Sequence, residues 1–178
     1  MKKYLIQFKP FLIFISTFFG VYIVLTLFYK LYLDSFGTNE VDGITNIVGR
    51  NVEQLMNVFN CDIKIYKSTV DSWLEVWYNK KYIIRIVEGC NAISVIILFI
   101  SFIIAFSGKF KTTFIFVLSG TLLIYILNVS RIAMLTVLMF YFPQNGHFLH
   151  GTLFPLVIYG LVFMLWVIWV NKFSKYAK

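Results

Sequence analysis

Acidic side chains are scarce and confined: there are eight in 178 residues, all between Asp34 and Glu88. Both termini and the segment Gly108-Lys109-Phe110-Lys111 carry only basic charge. Two cysteines are too few for a disulfide framework, and no Cys/His spacing of the zinc-binding kind is present. No metal or other cofactor is therefore expected. Internal repeats and low-complexity tracts are also missing. Only 13% of residues are charged, whereas 60% are hydrophobic. A soluble domain of this size could not hide that much apolar surface, so lipid must be part of the solvent. The net charge of +8 is no nucleic-acid footprint, because the basic residues do not gather on one face or stripe. Their placement speaks to topology instead.

What is present is long apolar sequence. Four segments can cross a bilayer of about 30 Å at about 1.5 Å per helical residue. They are Phe11 to Tyr32, Asn91 to Ser107, Thr112 to Tyr141 and Thr152 to Val170. Met1-Lys2-Lys3 ahead of an apolar run could mimic a signal peptide. The run from Phe11 to Leu31 exceeds the usual apolar core of about 7–15 residues, and no small-x-small cleavage site follows. A retained first span is expected.

The positive-inside rule places Lys2, Lys3, Lys9, Lys109, Lys111, Lys172, Lys175 and Lys178 in the cytoplasm. Four crossings satisfy this with both termini inside. The expected fold class is therefore an all-α polytopic membrane protein with about four transmembrane helices. It forms one integral membrane domain over 1–178: a first span at 11–32, an extracytoplasmic segment at 33–89 and a core at 91–170. Counting about 19 residues out from Lys111, enough for the bilayer, reaches Asn128 to Arg131. The third helix is thus either long, running outward past Arg131, or broken there, with Ile132 to Phe142 folding back. Pro143-Gln144-Asn145-Gly146 ends it in a turn.

The outer segment reads as mixed. Ile44, Val48, Val52, Leu55, Met56 and Phe59 have an amphipathic helical spacing within Val41 to Phe59. Tyr82 to Val87 can turn back on Leu74 to Tyr78 through Asn79-Lys80-Lys81 as a small hairpin.

Chemistry is concentrated at the edges of the apolar runs. Cys90 heads one of them, in Glu88-Gly89-Cys90-Asn91-Ala92. A cysteine there is commonly a small hydrophobe, or could pair with Cys61 in an oxidising compartment. The start of a helix, however, offers partial positive charge and free N–H groups that favour a thiolate nucleophile. Arg131 interrupts a second run, and burying it at mid-span would cost at least about 2.5 kcal/mol. Snorkelling is the plain reading near an interface. Asn128, one turn earlier on the same face, favours a fixed cation that holds a carboxylate or an oxyanion. His147 and His150 precede the last run. With a cysteine on the same membrane face, one of them is a candidate general base. Their spacing could also ligate a metal, but no carboxylate lies near in sequence. The tryptophans Trp73, Trp77, Trp166 and Trp169 suit an outer segment and an interfacial belt.

Glu88-Gly89-Cys90-Asn91-Ala92, then Asn128-Val129-Ser130-Arg131-Ile132, then a histidine before Gly151 and Phe154, resemble the exosortase/archaeosortase family. The short chain and Phe154-Pro155-Leu156-Val157-Ile158-Tyr159-Gly160 resemble the subgroup called exosortase F, of the Bacteroidetes. The resemblance covers about Val87 to Val170. His147 with Gly151 fits the family's spacing, and His150 fits the Phe-Pro block at least as well.

The resemblance implies a membrane-embedded cysteine protease or transpeptidase of the bacterial inner membrane, with its active site on the periplasmic side. Its partners would be membrane lipid and the C-terminal sorting segments of exported proteins: a short motif, a span and a basic tail. Cys90, Arg131 and either His150 or His147 would be catalytic, with Asn91, Asn128 and Glu88 binding or orienting the substrate. Two other readings come from different classes: a non-enzymatic membrane scaffold or assembly factor, and a thiol redox membrane protein using Cys61 and Cys90.

Overall fold

The computed structural model describes residues 8–37, 39–106 and 108–174. Lys2, Lys3, Lys175, Lys178 and the end of the second apolar segment at Ser107 lie outside the described residues. The first helix, α1 (Lys9–Leu33), has Pro10 in its opening turn, where a missing N–H costs nothing. None of its residues is buried, and Phe11, Ile13, Phe28 and Leu31 are all more than half exposed. A helix apolar all round with no protein to cover it is suited to lipid. Its extended contact is with the later helix Ile93–Ala105 and the residue after it, where Phe14 meets Phe102 and Phe106.

Asp42 caps α2 (Gly43–Val58), its carboxylate accepting the Thr45 N–H at 2.9 Å. The expected amphipathic face is present, with Val48, Val52 and Met56 buried. Phe59, expected on that face, lies just past the helix and is exposed. A meander of three antiparallel strands follows: β1 (Ile63–Lys67), β2 (Leu74–Tyr78) and β3 (Lys81–Ile86). The expected hairpin is β2–β3. Its two-residue turn puts Asn79 and Lys80 at φ 49° and 63°, the left-handed pair that a tight antiparallel turn requires.

Alternation turns Ile63, Leu74, Val76, Tyr78 and Ile86 to one face, where they bury against α2. Gly49 lets α2 lie close on the sheet, since a Cβ there would collide with Leu74. Burial, then Cys61 and Tyr141 beside it, holds the Tyr78 phenol neutral above its ordinary range.

The chain re-enters apolar territory through a 3₁₀ turn, Glu88–Cys90, and then α3 (Ile93–Ala105). This helix is 13 residues long, about 20 Å, shorter than the expected span. It starts two residues late because Ala92 takes a left-handed conformation, φ 69°.

Next comes α4 (Phe110–Tyr141), unbroken over 32 residues, or about 48 Å. The third apolar segment is therefore long and does not fold back. A 3₁₀ turn (Pro143–Asn145), one helical turn (Gly146–Phe148) and a π-helical turn (Leu149–Leu153) lead into α5 (Phe154–Lys172). The molecule is thus mostly helical. Three helical stretches, Lys9–Leu33, Phe110–Tyr141 and Pro143–Lys172, are long and apolar enough to cross a membrane.

Two cores result. One joins α3, α4 and α5 through Phe99, Ile103, Ile124, Val162, Leu165 and Trp169. The other joins α2 and the sheet to the second half of α4, through Val129, Ile132 and Ala133. The fourth helix is common to both, and the candidate site lies where they meet.

Candidate functional site

The 3₁₀ turn holding Cys90 is fastened from two sides. Within the turn, the Cys90 N–H donates to Val87 O at 2.8 Å. From α4, the Asn128 amide donates through Nδ2 to the Cys90 carbonyl at 2.7 Å. Asn128 is 2% exposed, so this bond is shielded from competing water. Its Oδ1 accepts from Arg131 Nη1 at 3.5 Å, one turn along the same helix face. One buried amide thus links the Cys90 backbone to the guanidinium. Cys90 and Arg131, 41 positions apart in sequence, are brought together by it.

Arg131 is half-buried, and its Nε is buried with no hydrogen-bond partner. An unpartnered buried donor is costly, about 1–3 kcal/mol, and more when charged. It is the kind of group that an incoming oxyanion or carboxylate would satisfy. His150 is exposed on the π-helical turn that leads into α5. Single π-helical turns recur at functional sites because they push one side chain out of helical register. His147 is exposed on the preceding helical turn.

Asn91, expected to bind substrate or to orient the side chains, makes its hydrogen bonds inside the protein. It is 1% exposed, and all its polar capacity is used inside the protein. Nδ2 donates to Tyr29 Oη at 2.7 Å and to Thr45 Oγ1 at 3.3 Å, while Oδ1 accepts the Ile93 N–H at 3.0 Å. It therefore pins α1, α2 and the start of α3 together directly behind Cys90. Tyr29 and Thr45 carried no signal in sequence, since each looks like an ordinary belt or cap residue.

Glu88 is exposed and lines a cleft of about 350 Å³ with Asp34, Glu40 and Asp42. Cys61 and Cys90 are both free thiols, so the alternative of a disulfide between them is not realised. Among the described residues no group of three His, Cys, Asp or Glu side chains is disposed to hold a metal ion. Thiol, guanidinium and imidazole remain as the reactive set, which is the equipment of acyl transfer through a covalent intermediate. Comparison with known proteins returned no matching family model, no matching curated protein and no matching solved structure.

Proposed function

We propose that the protein is a membrane-embedded cysteine peptidase or transpeptidase of the exosortase kind, acting on C-terminal sorting segments of exported proteins. The observation that carries this reading is the amide bridge of Asn128 between the Cys90 carbonyl and Arg131. Hydrophobic packing requires none of these polar groups at such a junction.

In the proposed reaction His150 takes the thiol proton as Cys90 Sγ attacks the scissile carbonyl. The C–S bond forms, and the negative charge on the carbonyl oxygen is met by Arg131, whose Nε is free to donate. Collapse breaks the C–N bond, and the imidazolium gives its proton to the departing amine. The thioester is then attacked by an acceptor amine or by water. His150 removes that nucleophile's proton and returns it to Sγ. Asn128 and Asn91 are positioning residues, fixing the turn on which the thiol rides.

The proposed topology has four crossings, with both termini in the cytoplasm and the sheet, Cys90 and His150 on the periplasmic side of the inner membrane. The supporting arithmetic is that Arg131 lies 22 residues beyond Lys109, about 33 Å along α4 against about 30 Å of hydrocarbon.

The test is Cys90→Ala in cells. Exported proteins bearing a C-terminal motif, span and basic tail should keep those segments, as read by mass spectrometry of C-terminal peptides. Cys61→Ser should process them normally. Normal trimming by Cys90→Ala would end the reading.

A further inference from the structure

The two edges of the sheet are treated differently. Strand order is β1-β2-β3, so β1 and β3 each present one unpaired side. Such edges attract foreign strands, and proteins usually blunt them. At β1 this is done: the Ile65 N–H donates outward to the Glu53 carboxylate from α2, at 3.4 Å. Lys64 and Lys67 add charge along the same strand. β3 also carries charge, at Lys81 and Arg85, and a bulge in its pairing with β2, but among the described residues no side chain or backbone group hydrogen-bonds to its outer edge.

The parity of the ladder then shows which groups are open. Because Ile65 points its N–H away from β2, Lys64 and Tyr66 make the bonds to β2, opposite Trp77 and Glu75. Leu74 and Val76 therefore turn their backbone groups to β3, meeting Ile86 and Ile84. Arg85, between those two, faces outward with its N–H and C=O unused.

This open edge leads to the site. After Ile86 only Val87 separates β3 from the turn carrying Cys90. Ile84 packs against the cluster of Leu135, Leu149 and Phe154. A chain laid along the outer edge of β3 in the strand's own direction would be led toward the turn that carries the thiol.

We infer that the outer edge of β3 is the substrate-binding strand: it receives, by strand addition, the extended segment on the acyl side of the scissile bond. This rests on the peptidase reading above and adds to it how the substrate is held. Backbone pairing supplies affinity, as in other strand-addition sites. Since the acyl side must approach Cys90 in the direction β3 itself runs, the added pair is parallel.

The test uses the full chain in lipid nanodiscs and acetylated oligoalanyl chloromethyl ketones of one to five residues, with iodoacetamide as a probe too small to pair. Adducts are mapped to Cys90 or Cys61 by mass spectrometry. Alkylation of Cys90 should speed up at least tenfold with probe length. Arg85→Pro, which removes an outward N–H together with the Arg85–Trp73 cation–π contact that Arg85→Ala also removes, and is tolerated on an edge strand, should abolish that gain. Arg85→Ala should keep it, and iodoacetamide should react equally with all three proteins. A probe N-methylated at every second alanine should reproduce the loss with the unaltered protein, which covers a misfolded proline variant. Length dependence unaffected by either Arg85→Pro or N-methylation overturns strand addition and leaves the peptidase reading standing. So does a reactive Cys90 with no length dependence. A Cys90 that reacts no faster than Cys61 with any probe overturns both. Crosslinked β3-to-β3 dimers would give the edge to a second copy of the chain and likewise overturn the proposal.

Discussion

At the scale of single residues the decisive group is Asn128, because its amide makes both connections of the site at once. In Asn128→Ala the Cys90 carbonyl loses a buried donor and Arg131 loses its one positioned acceptor. A net hydrogen bond is worth about 0.5–1.5 kcal/mol, and about 1.4 kcal/mol is tenfold in rate. Processing should therefore slow by about tenfold, and the loss should fall on kcat with KM little changed, since the amide touches no substrate. A loss confined to KM, or explained wholly by a lower melting temperature, would count against a positioning role. Cys90, Asn128 and Arg131 were legible in sequence because polar atoms inside apolar runs need a reason to be there. Asn91 was legible as important but its contacts were not. Its partners Tyr29 and Thr45 lie 62 and 46 positions away, and no local pattern announces such a contact.

At the scale of elements, helix type and approximate extent followed from periodicity, while ends were decided by individual atoms. The second apolar run is helical only from Ile93, because the Asn91 side chain accepts that residue's N–H and Ala92 turns left-handed. Strand β1 was overlooked, although Ile63-Lys64-Ile65-Tyr66-Lys67 alternates. A five-residue edge strand gives too short a pattern to separate from loop. Helix pairing was equally hidden. The contact of α3 with α4 depends on Gly120, where a Cβ would collide with the Phe99 ring. Gly120→Val should destabilise the α3–α4–α5 core by about 1–3 kcal/mol through overpacking. Phe99→Ala should also destabilise, by about 3–5 kcal/mol through a cavity. Together the two should be far less than additive, because the valine enters space that the ring vacates. Thermal unfolding of the four proteins in detergent reads this directly. Simple additivity would mean the ring and the glycine do not meet.

At the scale of the whole molecule, α4 sets the geometry. Its first half packs with α3 and α5, and its second half is a wall of the core shared by α2 and the sheet. One rigid helix therefore fixes how far the sheet and Cys90 stand from Lys109 and Lys111. On the proposed topology the 13-residue α3 covers the same depth with about 20 Å of helix, the remainder falling to the turns at its two ends. A short helix between longer ones can be met by local thinning of the bilayer, at fractions of a kcal/mol per Å. On the proposed topology, α3 still crosses, so the sheet and the α3–α4 loop lie on opposite sides of the membrane. Single cysteines placed at Asp71 and Lys109, in a background lacking Cys61 and Cys90, distinguish this arrangement from one in which α3 only dips into the membrane. An impermeant maleimide should label Asp71→Cys in intact spheroplasts and Lys109→Cys only after the membrane is opened. If both label from the same side, α3 does not cross. Lys109 and Lys111 would then be extracytoplasmic, against the charge rule that groups them with Lys2, Lys3, Lys9, Lys172, Lys175 and Lys178.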